Sequence, residues 1–183
     1  MKESKQNRAC PDEKKAKIKE SKKLTSLRRQ SQICKVFECK IVEKRLNKKQ
    51  REQLEMLFVE GKWFYNHVIN LHQEQQIRLL DINTTSIKSV NHFTKDHELV
   101  NSELEYLSAA QKQAILSRMV SNQRTIISLV RKGVQKHGNL QFKSELTCIP
   151  LKQYGTTYKF KSFNKVKIQG ISGTVLVRTG NQL

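Results

Sequence analysis

No stretch of this chain approaches the run of about 20 apolar residues that a membrane-spanning helix requires. Hydrophobic residues make up only 37% of it, below the usual globular share. No membrane partner is expected on that ground. The positive start Met1-Lys2-Glu3-Ser4-Lys5 has no apolar segment behind it, so no secretory signal is read and the expected location is the cytoplasm, with the four cysteines as free thiols. Catalytic signatures are missing as well: there is no Gly-rich phosphate loop, no Gly-x-Ser-x-Gly and no His-Glu-x-x-His. Aspartate is scarce, and neither Asp12, Asp81 nor Asp96 follows an apolar strand in the way metal-dependent nucleases place their carboxylates. Cys34 and Cys39 point to opposite faces of a strand, and His67 and His72 miss the four-residue helical spacing that brings two metal ligands together. The sequence therefore leads to no catalytic residues, no metal site and no cofactor in this chain.

What is present is positive charge. Lys and Arg number 35 against 16 acids, a surplus of +19 over 183 residues. A chain of this length folds as one domain or two small ones. A surplus that large repels itself unless a polyanion is bound, which makes nucleic acid the first partner to consider.

Residues 1–31 hold only scattered apolar side chains (Ala9, Cys10, Ile18, Leu24, Leu27), too few to offset the entropy of ordering, and are expected to be a disordered basic arm. Acids stand first in it and bases last, so it can turn helical when neutralised. Both a phosphate-binding role and a solubilising one remain open for it. Residues 32–46 hold a half-buried strand, with Phe37, Cys39 and Ile41 alternating against Glu38 and Lys40. Asn47-Lys48-Lys49-Gln50 has the form of a capping box, and apolar residues from Leu54 to Leu71 then recur at helical spacing. Ser108-Ala109-Ala110-Gln111 opens a second long helix that ends near Arg131-Lys132-Gly133. Between the helices, the residues around 81–102 show no clear period and are expected to form a packed connection with one short helix. In residues 140–183 the period returns to two, with Tyr158 and Phe160, then Val166 and Ile168, alternating with lysines. The strands on either side of the helices are too few to stand alone. They are expected to pair into one sheet with the helical block, residues 47–139, inserted between them.

Lys159, Lys161, Lys165 and Lys167 project from one face of the expected hairpin, which suits a nucleic-acid backbone. Lysines also protect sheet edges from aggregation, so that second reading stays open. The aromatic run Trp63-Phe64-Tyr65 belongs mainly to a helix core, with Trp63 or the Tyr65 hydroxyl the group expected to reach outward to a base.

Taken in order, four segments resemble the N-terminal half of TnpB proteins: Phe37-Glu38-Cys39-Lys40-Ile41, the helix bearing Trp63-Phe64-Tyr65-Asn66-His67, Leu107 to Ile115, and Leu140-Gln141-Phe142-Lys143-Ser144. TnpB proteins are RNA-guided, transposon-encoded endonucleases related to the type V CRISPR effectors. The tail, with Ile149-Pro150-Leu151, Tyr154-Gly155 and Lys167 to Gly173, looks like the segment preceding the nuclease in that family. The resemblance covers about Cys34 to Leu183 and rests on order and spacing rather than on any single motif. It implies an α+β fold in which a partial antiparallel wedge-like β-barrel is interrupted by a helical recognition bundle, together holding a guide RNA and reading a short motif in double-stranded DNA beside the target. By that resemblance Gln113 reads base edges, where an amide pairs bidentately with adenine; a solvated helix position with no such role stays open beside it. Ser108 and Lys112 are then candidates to hold phosphates, and Lys143 with the hairpin lysines to contact the RNA backbone; Tyr65, from the aromatic run, completes the DNA-binding candidates. The family continues into a metal-dependent nuclease that this chain does not reach, so cleavage is not carried over. Two alternatives stand beside a binding fragment: a split endonuclease completed by a separately encoded nuclease half, and a stand-alone helix-turn-helix DNA-binding regulator.

Overall fold

The computed structural model describes residues 12–31, 39–94, 96–136 and 138–179. The chain divides into two compact units, Met1–Glu38 and Cys39–Leu183. In the first, α1 (Asp12–Gln30) is a helix whose described side chains are exposed except for half-buried Thr25. Asp12–Gln30, within the stretch expected to be a disordered arm, is helical; its acids stand first and its bases last, the order that complements a helix dipole. Residues 1–11, part of the expected arm, and 32–38, which take in Cys34, Phe37 and Glu38 of the expected strand, lie outside the described residues.

In chain order the second unit runs β1 (Cys39–Ile41), α2 (Lys48–Gln73), β2 (Ser89–Phe93), β3 (Leu99–Glu103), α3 (Ala109–Arg131), β4 (Tyr158–Ser162), β5 (Lys165–Ile168) and β6 (Val175–Thr179). Both long helices start as the sequence implies. The Gln50 N–H donates to Asn47 Oδ1 at 2.8 Å and Asn47 N–H donates back to Gln50 Oε1 at 3.2 Å. Ser108 and Gln111 repeat the exchange at 3.3 and 2.9 Å. α3 stops at Gly133, which takes φ +70°, while the Gly133 and Val134 N–H groups donate to the Val130 and Leu129 carbonyls at 3.0 Å each. These two bonds make a Schellman motif, and the positive φ is why a glycine stands there.

The fold is mixed α+β. β1 pairs antiparallel with β6 across the whole insertion, in a four-stranded sheet of order β1-β6-β5-β4. The expectation of one sheet built from both flanks therefore holds. Among the described residues the sheet does not close into a barrel: β1 and β4 are its two edges.

The connection between the helices differs from expectation. It is not irregular with one short helix but carries the antiparallel hairpin β2–β3, preceded by a single 3-10 turn at Leu79–Asp81. Its period was masked because its outward positions mix Asn91 and Asn101 with exposed Phe93 and Leu99. On the inward side Val90 is buried, and His92 stacks on Trp63 of α2, ring centroids 3.8 Å apart and 7° from parallel.

Two apolar clusters result. One lies between α2 and α3 and takes in Phe64, Val68, Ile69, Ile115 and Met119; the other covers the inner face of the sheet with Val166, Ile168, Val175 and Val177. Buried polar groups join them. Gln50 Nε2 donates to the Ser172 and Thr174 carbonyls at 2.8 and 3.2 Å, and Gln111 Nε2 donates to the Gln169 carbonyl at 3.3 Å. The two capping glutamines therefore also clamp the β5–β6 turn onto the starts of both helices. Gly170 in that turn has φ +90°, and a Cβ there would sit 2.9 Å from the Tyr106 carbonyl. Glu60 of α2, 1% exposed, accepts the N–H groups of Glu105, Tyr106 and Leu107 at 3.0, 2.8 and 2.8 Å, fixing the approach to α3.

Candidate nucleic-acid interface

Directly opposed residues of antiparallel strands share a face, and residues alternate along each strand. The pairs Lys40–Arg178, Lys165–Leu176 and Lys159–Lys167 therefore place Lys40, Arg178, Leu176, Lys165, Lys167 and Lys159 together on the outer face. Ile41, Val177, Val175, Val166 and Ile168 face the core. The five cations are all exposed, and none of the four strands contains an acid. With strands about 4.8 Å apart, the four of them set this charge over a width of about 14 Å.

Two features separate the face from ordinary edge protection. Lysines protect exposed edges, which accounts for Lys159 and Lys161 on the edge strand β4. Lys165 and Lys167 lie on β5, which is flanked by β6 and β4. Lys159 and Lys167 also stand directly opposite each other, an arrangement that destabilises a sheet unless a counter-charge lies over it. Lys161 is exposed at the point where the register shifts between Phe160 and Ser162. Sequence reasoning had picked the four β4 and β5 lysines but missed Lys40 and Arg178. The alternation around Lys40 was visible; its pairing partner, far along the chain, was not.

A second polar surface lies on α3. Gln113, Ser117, Ser121 and Arg124 are exposed at spacings that put them on one side of the helix. Lys152 reaches this surface, its Nζ donating to Ser117 Oγ at 2.9 Å. The remaining expected DNA-binding residues are engaged inside the protein. Ser108 serves as the α3 N-cap and also donates its hydroxyl to Gln111 Oε1 at 2.8 Å. Lys112 is buried at 7% exposure and donates to the Ile87 carbonyl at 2.8 Å. Burial pushes its pKa below the usual lysine range, opposed by the Glu60 carboxylate. Tyr65 is buried, and loss of solvent raises its phenol pKa. A burial-driven helix stripe and an outward-pointing phosphate contact carry the same residue letters, which is why sequence alone could not separate Ser108, Lys112 and Tyr65 from Gln113.

Lys143 is exposed but held on α2 rather than on the sheet. Its backbone exchanges two 2.9 Å hydrogen bonds with the Asn66 amide, and its Nζ sits 5.0 Å from the centroid of the Tyr65 ring. Trp63, expected to offer a stacking face, already has one face covered by His92. A groove of about 870 Å³ between α2 and residues 144–147 sets Lys44, Arg51 and Lys62 against Glu43, Glu55 and Glu145, a balance that gives a polyanion no preference. Residues 74–108, including the hairpin, separate α2 from α3. A helix-turn-helix needs a turn of about 3–4 residues there, so this pair does not form one. Among the described residues no helix is long and apolar enough to cross a membrane.

Comparison with protein-family models, with curated proteins and with solved structures finds no match to this chain.

Proposed function

We propose that the chain is the nucleic-acid-binding N-terminal portion of a TnpB-like, RNA-guided transposon protein. In this reading the outer face of the sheet, with Lys40, Lys159, Lys165, Lys167 and Arg178, and with Lys161 beside it, holds the phosphate backbone of a guide RNA. Lys143 adds a contact from α2. The exposed side of α3, led by Gln113, faces the duplex DNA flanking the target, and the open sheet is part of a wedge-like barrel interrupted by the recognition helices. The observation that carries the proposal is the outer sheet face: five exposed cations, drawn from all four strands, with no acid among the strand residues. Backbone neutralisation of this kind asks for density of charge and no particular base, which suits a structured RNA whose sequence is read elsewhere.

The test is purification of the full chain together with its native locus, followed by sequencing of bound RNA. One enriched, structured transcript is expected, lost when Lys159, Lys165 and Lys167 are changed to Gln. Recovery of no RNA, or of bulk cellular RNA in proportion to its abundance, overturns the proposal.

A further inference from the structure

We infer that α1 is a second nucleic-acid contact, a helix that lies in the major groove of double-stranded DNA. The inference rests on the proposed function only in taking duplex DNA as a partner. α1 carries eight Lys or Arg and three acids over Asp12–Gln30, and its described side chains bury almost nothing. At 3.6 residues per turn, seven of its eight cations fall on two flanks. Lys15, Lys19, Lys22 and Lys23 line one side; Lys14, Lys17 and Arg28 line another; Ile18, Thr25 and Arg29 fall between them. Ala16, Glu20, Leu24 and Leu27 occupy the remaining, opposite side. An α-helix with its side chains is about 10–12 Å across, and the DNA major groove, about 12 Å wide, is bordered by a phosphate strand on each wall. A helix with a cationic flank on either side of a line of Ile18, Thr25 and Arg29 matches that cross-section. The RNA major groove is too deep and narrow to admit it, so DNA is the partner assigned.

The helix itself gives a reason for a bound polyanion. Most helical stability in proteins comes from packing a buried face, which the described side chains of α1 lack, and Lys15–Lys19 and Lys19–Lys23 set like charges one turn apart, which weakens the helix. The Lys15–Asp12 contact at 3.1 Å is 60% and 98% exposed at its two ends and offsets little. Phosphates along both flanks would cancel the repulsion and hold the helix.

The experiment uses the full chain and a DNA duplex of arbitrary sequence, with the same sequence as an RNA duplex for comparison. Guanine N7, which opens into the major groove, should be protected from methylation by the wild type. Two variants each strip three cations from one flank: Lys15, Lys19 and Lys22→Gln, and Lys14, Lys17 and Arg28→Gln. Each should lower the slope of log affinity against log salt by about 2.7, three phosphates at about 0.9 each, and should abolish N7 protection. Loss through one flank only, unprotected N7 with the wild type, or equal effects on the RNA duplex overturns the inference. If N7 protection and both flank effects appear while no specific RNA co-purifies, the helix assignment stands and the guide-RNA reading falls.

Discussion

Replacing Lys167 with Gln separates a binding role for the sheet face from a structural one, because the two readouts should move in opposite senses. Lys167 on β5 directly opposes Lys159 on β4, and both are exposed. Relieving one like-charge pair in a sheet is worth about 0.2–1 kcal/mol, and solvent screening at an exposed pair puts it at the low end, about 0.2–0.5 kcal/mol. Lys167→Gln should therefore raise the midpoint of urea unfolding slightly. Lys159→Gln should do the same, and the double variant should gain no more than either single one, since the repulsion is already gone. Binding behaves differently. Five cations on the face give a log–log salt slope of about −3.5 to −4.5, depending on whether the RNA is single- or double-stranded there. Affinity should accordingly fall about 100- to 500-fold between 50 and 200 mM salt. Each Lys→Gln change should flatten the slope by about 0.7–0.9, and the two should add. Fluorescence anisotropy against the co-purified RNA at four or five salt concentrations measures this. A variant that is less stable, or one that keeps the wild-type slope, refutes the argument that unbalanced charge on this face exists to meet a polyanion.

Other outcomes follow from the same geometry. Gln113→Ala should narrow the affinity difference between the preferred and non-preferred flanking duplexes by about 1–3 kcal/mol while leaving the salt slope unchanged, as measured on a small panel of duplexes; equal losses on every sequence would remove Gln113 from base reading. Glu60→Ala strips the acceptor from three N–H groups at 3.0, 2.8 and 2.8 Å and should cost about 3–5 kcal/mol, enough to threaten folding; Glu60→Gln keeps an acceptor and should cost roughly half as much, read from urea unfolding. Lys112 has a folded-state pKa lowered by burial, so between that value and the unfolded lysine pKa the unfolded chain binds the proton that the folded chain has released. Stability should rise with pH across that window and fall away as pH drops through the folded pKa. Lys112→Met should lack this rise, so unfolding curves of the two proteins should diverge in favour of the wild type as pH increases.

Local signals in the sequence reached the elements they govern. The capping boxes at Asn47 and Ser108, the helix stop at Gly133 and the strand alternation at Tyr158–Phe160 and Val166–Ile168 depend on residues a few positions apart, and the structure carries each of them. The β2–β3 hairpin escaped notice because Phe93 and Leu99 face solvent, which breaks the alternation that marks a half-buried strand. Among the site residues, the β4 and β5 lysines were legible from alternation alone. Lys40 and Arg178 were not, because their membership of the same face depends on β1 pairing with β6.

The sequence by itself determined the excess of positive charge, where α2 and α3 start and where α3 stops, since composition and near-neighbour hydrogen bonding settle these. Tertiary structure alone decided which cations gather on one surface. The pairing of β1 with β6 brings Lys40 beside Arg178, and packing in the helical block buries Tyr65 and seats Lys112 on the Ile87 carbonyl. Pairing partners far apart in the chain are chosen by the free energy of burying both apolar clusters together, a sum over the whole fold that no local stretch of residues contains.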